Sequence, residues 1–194
     1  MLASLPLWMM LLLFSGCSGT DTTEQQVPGD SIQEEMEERE IKRILPGEIV
    51  EAAYTEGEKL SSQAQQIAVE AYRRRVGRDT NFADFVDAQA LRDIDSLMQN
   101  KQASIHWVAA SDDNPQLQDT ERQIWEAYLY NVENDLPLND NVQRLGEDNF
   151  LYTRPVRLDV ELRKKLPGTE TKAEDAFLGM WVVRFSKKAL IQSL

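Results

Sequence analysis

The 194-residue chain contains one cysteine, Cys17, and one histidine, His106, and this scarcity excludes several chemistries at once. A single thiol cannot close an intramolecular disulfide, and one thiol with one imidazole cannot build a soft-ligand metal centre. No second histidine is available for a triad, and neither a G-x-S-x-G elbow, a phosphate loop nor a dinucleotide fingerprint occurs. Paired carboxylates such as Asp93 with Asp95, or Asp112 with Asp113, have no spacing that separates an acid from a base. No catalytic residue is assigned, and the chain reads as a non-enzyme. Positive charge is also short, with 21 Lys and Arg against 33 Asp and Glu and a net charge of −12. That balance argues against nucleic acid as a partner and against electrostatic adhesion to anionic lipid. A hydrophobic content of 42% is that of a chain able to bury a core.

What is present begins with an apolar leader. Residues 1–16 are uncharged and shorter than the roughly 20 residues a membrane-spanning helix needs. Their length suits the apolar region of a secretory signal. The run Leu13-Phe14-Ser15-Gly16-Cys17 resembles the lipobox of bacterial lipoprotein signals, although Phe14 replaces the usual Leu and no Lys or Arg precedes it. The resemblance implies that Cys17 is lipidated and becomes the mature N-terminus. It also implies a chain anchored to a membrane of the bacterial cell envelope, periplasmic or facing the outer membrane. Residues 17–30 are polar and without apolar periodicity, as a flexible tether would be, which leaves 31–194 for a single domain.

Helical patterning dominates the first half. An acidic segment follows Ser31, with apolar residues Ile32, Met36, Ile41, Ile44 and Leu45. Pro46-Gly47 breaks it and restarts a longer helix, over about 47–76, with Val50, Ala53, Leu60, Ala64, Ala68 and Tyr72 at helical spacing. Arg73-Arg74-Arg75 falls in its last turn, where cations either offset the helix dipole or form an anion site. A further helix is expected over 81–102.

At Ala103 the period changes. Ile105, Trp107 and Ala109 alternate with Ser104, His106 and Val108, as in a half-buried strand. Ser111 to Pro115 has loop chemistry, and Asp119 or Thr120 caps a helix burying Ile124, Trp125, Tyr128 and Leu129. Asn141 to Leu145 and Phe150 to Leu158 form a hairpin about Gly146-Glu147-Asp148-Asn149, and residues 176–185 form a final central strand. Helices followed by a small sheet make the fold class α+β.

In the same order stand Asp113-Asn114-Pro115, Trp125-Glu126, Tyr152-Thr153-Arg154-Pro155 and a last strand opening at Gly179. Together these resemble the periplasmic c-type haem domains of PAS-like fold, over roughly residues 47–186. The resemblance implies a PAS-like antiparallel sheet with long N-terminal helices packed against it, and a sensory role. It also implies a C-x-x-C-H haem-attachment motif soon after the Arg-Pro strand. Residues 157–178 contain neither cysteine nor histidine, so covalent haem attachment has no thiols to use and no haem cofactor is expected. His106 is the one imidazole that could meet haem iron, and no second axial group accompanies it.

Arg154 and Tyr152 have the same parity on their strand and so share one sheet face. Facing a concave sheet near Trp181, they could grip a carboxylate through bidentate hydrogen bonds; equally, Arg154 could pair with an acidic helix. The candidate ligand-binding residues are therefore Tyr152, Arg154, Trp181 and His106, with no metal site. The functional expectation is a haem-less sensory or ligand-binding module on a lipid anchor, with a small molecule or a protein as partner. The alternative is a structural or assembly scaffold acting through protein–protein contacts.

Overall fold

A computed structural model of the chain describes residues 44–75, 85–99, 101–110, 117–169 and 175–194. These belong to one compact unit, Arg43–Leu194. The signal, Cys17, the tether, the acidic segment after Ser31 and the Asp113-Asn114-Pro115 loop lie outside the described residues.

Helix α1, Pro46–Arg75, starts with proline at its first position, where a missing N–H costs nothing. Glu48 accepts a hydrogen bond from the Leu45 amide at 2.7 Å and so closes that first turn. The buried stripe of α1 includes Ala53, Gly57, Ser61, Ala64 and Ala68, all small, which lets the helix axis lie close to the sheet. Ile49 rather than Val50 belongs to this stripe; Val50 is exposed. Helix α2 spans Ala88–Met98, shorter than the helix read from the sequence, and is capped by Asp87, whose carboxylate accepts from the Ala90 amide at 2.7 Å. Arg74 and Arg75 reach Asp93 at 3.7 Å and Asp87 at 3.2 Å, tying the end of α1 to α2.

The strands are β1, Ala103–Ala109; β2, Asn141–Leu145; β3, Asn149–Arg157; and β4, Phe177–Ser186. They form one four-stranded antiparallel sheet in the order β1-β4-β3-β2. The first and last strands in sequence are therefore neighbours, and the β2–β3 hairpin completes the far side. The expected α+β architecture, helices packed on a small antiparallel sheet, is what the chain adopts.

Helix α3, Asp119–Glu133, covers the face of the sheet opposite α1. β1 is thus covered on both sides rather than half-buried: Ile105 and Trp107 join the core under α1, while Val108 joins Ile124, Trp125 and Tyr128 under α3. β4 follows the same rule, with Trp181, Val183 and Phe185 toward α1 and Met180 and Val182 toward α3. Near Gly179 the alternation slips by one residue. Val156 pairs with Gly179 but Arg157 pairs with Phe177, leaving Leu178 as the extra residue of a bulge. Gly179 has φ +147, and a Cβ there would come within 2.6 Å of the Trp107 ring, so only glycine fits.

Two short helices were not anticipated. In the connection after β3, Asp159 caps α4, Val160–Lys165, by accepting from the Leu162 amide at 2.7 Å. Leu158, Leu162 and Leu166, four residues apart, plug this segment into the α1 core. After β4, Ser186 caps α5, Lys187–Ser193, which buries Leu190 in the same core.

Candidate functional site

The sheet face under α1 carries three of the four candidate residues, and they have different environments. Tyr152 and Trp181 are fully buried, at 0% exposure each, so they are core rather than lining. The Trp181 ring meets Trp107 at a tilt of 57°, with 4.8 Å between ring centres. The Tyr152 ring lies over Gly57, where helix α1 has no side chain, and meets Tyr54 edge-on at 5.9 Å. Its hydroxyl donates to the carboxylate of Asp140, and burial with this bond pushes its pKa well above the ordinary tyrosine value.

Arg154 shares the face of Tyr152, as strand parity requires, but lies two residues nearer the open end of β3 and is only half-buried. Its Nη1 donates to Ser62 Oγ on α1 at 2.7 Å. Among the described residues it pairs with no carboxylate; the acidic segment after Ser31 lies outside them. Instead it borders a groove of about 390 Å³ between α1, β3 and α4. Arg73 and Lys165 stand in the wall of this groove, with Gln65, Gln66 and Glu70 beside them. Arg73 Nε donates to the Lys165 carbonyl at 2.7 Å, fixing the guanidinium against α4. The three consecutive arginines therefore divide: two make ion pairs to α2 and one serves the groove.

His106 lies on the other face of the sheet, under α3, and is brought together with none of the other three. Its Nε2 stands 3.7 Å from Glu121 Oε1, which also accepts from Arg184 Nε at 2.9 Å and Nη2 at 2.6 Å. Burial lowers the His106 pKa most; Glu121 opposes this and Arg184 adds to it. Glu121 is 1% exposed, and its other oxygen accepts from the Gln118 amide at 3.2 Å. The cap of α3 thus involves Gln118 and Glu121, not Asp119 or Thr120. Glu126, beside Trp125, is exposed. The buried glutamate is signalled instead by its place one turn into α3, at the third residue after the cap.

The α3 layer adds a buried tyrosine of its own. Tyr128 donates to the Asn139 carbonyl at 2.9 Å, leaving a lone pair to accept from Thr153 Oγ1 at 3.0 Å. Burial raises its pKa from 10.0 to about 12. A folded-state pKa above the unfolded value stabilises the fold fully below pH 10.0 and loses that contribution as pH rises through about 12. We therefore expect urea midpoints to fall steeply across this window, and Tyr128→Phe to remove about 2 kcal/mol of the fall. An unchanged alkaline slope in Tyr128→Phe would mean that this phenol is not the group responsible.

No family model matches the chain, and no curated protein matches it. Among solved structures, the cyanobacterial heme-protein Tll0287 is similar, with a TM-score of 0.46 and 13% identity, over 74% of this chain and 97% of that one.

Proposed function

We propose that the chain is a lipid-anchored protein of the bacterial cell envelope, whose PAS-like domain works without haem as a sensory or ligand-binding module. Its site is the groove beside Arg154, and it carries out no catalysis. The observation that carries this reading is Arg154 itself. A half-buried guanidinium oriented by a neutral serine, with no carboxylate partner among the described residues, keeps its remaining donors for something else. Tyr152 and Trp181 contribute as the rigid floor that sets the strand, and His106 belongs to the opposite layer.

Two features support a haem-less reading. No cysteine follows Cys17, so thioether attachment lacks its chemistry. Around Tyr152 and Trp181, the space between α1 and the sheet is filled by side chains, Leu60 and Phe85 among them, and the one histidine lies beyond the sheet. A stoichiometric Soret band in the visible spectrum of the purified protein would overturn this part.

The binding reading is tested by a thermal-shift screen of small metabolite-like compounds on the full chain in non-ionic detergent. Compounds that raise the melting temperature are expected to bind at least tenfold more weakly to Arg154→Gln, because a charged hydrogen-bond partner is worth about 1.5–3 kcal/mol. Hits indifferent to that change, or no hits, would remove the groove from consideration. The second reading, an assembly scaffold, draws on Leu45, Val50 and Tyr54, which are 57%, 44% and 44% exposed along the start of α1. In-cell cross-linking from these positions would recover a stable partner if it holds.

A further inference from the structure

The groove beside Arg154 has two cationic ends. One is Arg154, placed by Ser62; the other is Arg73 with Lys165, joined by the Arg73 hydrogen bond to the Lys165 carbonyl. Ser62 and Arg73 are eleven residues apart on one helix, which at 1.5 Å per residue puts their Cα atoms roughly 16 Å apart. Helical side chains lean toward the N-terminus, so the Arg73 head approaches Arg154 and the two charges are separated by on the order of 10 Å. Between them the lining turns neutral: Gln65, Gln66 and Val69 from α1, and Leu162 from α4.

Charge and length then agree. Glu70 lies three residues before Arg73 on α1 and also lines the groove, so its charge brings the net charge of the far end down to about one positive. A simple monoanion would satisfy one end and leave the other without a partner. A compact dianion such as phosphate would place both charges at the same end. Only a molecule with its negative groups held apart matches both.

We propose that the groove binds an extended α,ω-dianion, a dicarboxylate whose aliphatic spacer lies along Val69 and Leu162 while its ends meet Arg154 and Arg73 with Lys165. This rests on the reading of the groove as a binding site and adds the class of ligand. Glu70 acts as a selectivity element, weakening binding of a second charge too close to the Arg73 end. It also sets the net charge the site accepts.

The experiment is calorimetry on the full chain in non-ionic detergent. The probes are a dicarboxylate series from succinate to dodecanedioate, the monocarboxylate of each matching length, and inorganic phosphate. Dicarboxylate affinity is expected to peak at an intermediate length, at least tenfold above the matched monocarboxylate and above phosphate. Arg73→Gln should erase that advantage, bringing each dicarboxylate down to its matched monocarboxylate. Arg154→Gln should weaken both, and Glu70→Gln should strengthen dicarboxylate binding several-fold. Arg73 and Glu70 are exposed, so these variants leave the core intact. Arg154-dependent binding with no dicarboxylate advantage at any length would overturn the two-ended site and leave the binding reading standing. Binding indifferent to Arg154, or absent for every probe, would overturn both.

Discussion

Tyr152→Ala should lower the unfolding free energy by about 4 kcal/mol, the scale for deleting a large buried aromatic side chain. Tyr152 is 0% exposed and its ring fills the space that Gly57 leaves on α1. The informative partner is Gly57→Ala. On an ordinary helix this change stabilises by about 1 kcal/mol, because alanine loses less backbone entropy. Here the new methyl would lie 2.6 Å from Tyr152 Cδ2 and 2.7 Å from its Cβ, so the ring or the helix must move. Overpacking of this kind costs about 1–3 kcal/mol, and Gly57→Ala should destabilise the wild-type protein. In the Tyr152→Ala background the ring contacts are gone and only the Cβ contact at 2.7 Å remains, so the same substitution should cost clearly less than in the wild type. Urea denaturation of the four proteins gives the coupling directly. If Gly57→Ala has the same effect in both backgrounds, the ring does not rest on Gly57.

Arg184→Met is the second large effect. It would leave Glu121, 1% exposed, as a buried carboxylate held by the Gln118 amide at 3.2 Å and facing His106 at 3.7 Å. Breaking a buried pair from one side costs about 3–5 kcal/mol. Arg184 is itself 31% exposed, which places the expected loss at the lower end, about 3 kcal/mol. Pairing it with Glu121→Met should recover most of the loss, since an apolar pair needs no counter-charge. With Arg184 gone, one cause of the low His106 pKa is gone too. In the single variant, part of the stability should therefore return as pH falls and the imidazole takes up a proton. A loss below about 1 kcal/mol would show the pair to be a surface ornament.

Much of the architecture was readable in advance because the strands carry strong local signals. Gly146 with the polar residues after it could only be a turn, and it fixed both strands of the hairpin to within a residue. Ala103 to Ala109 alternates, yet alternation could not show that α3 would cover the polar-looking face as well. That cover depends on Val108 and on Met180 and Val182, whose partners come from distant parts of the chain. The α4 segment was missed although its signal was present. Asp159 set among leucines at 158, 162 and 166 is a capped helical turn, obscured by the charged residues between.

The candidate site was legible in one respect. Parity alone put Tyr152 and Arg154 on a common face, and they share it. Burial separated them: a residue with a glycine opposite becomes core, and a residue two places on, facing Ser62, borders a groove. Gly57 gave no hint of this, because a glycine within a helix can serve packing, bending or neither. The position of His106 on the other face was readable from the same parity. Its partners were not, since Glu121 and Arg184 are brought to it by tertiary packing.

Asn139 and Asp140, the two residues before β2, are held from opposite layers. The Tyr128 hydroxyl grips the carbonyl of one from the α3 side, and the Tyr152 hydroxyl grips the carboxylate of the other from the α1 side. A five-residue edge strand would ordinarily be the first part of a sheet to fray. Here its lead-in works like a rivet through the sheet, with a head in each layer. The outer margin of the hairpin therefore takes its position from both cores at once.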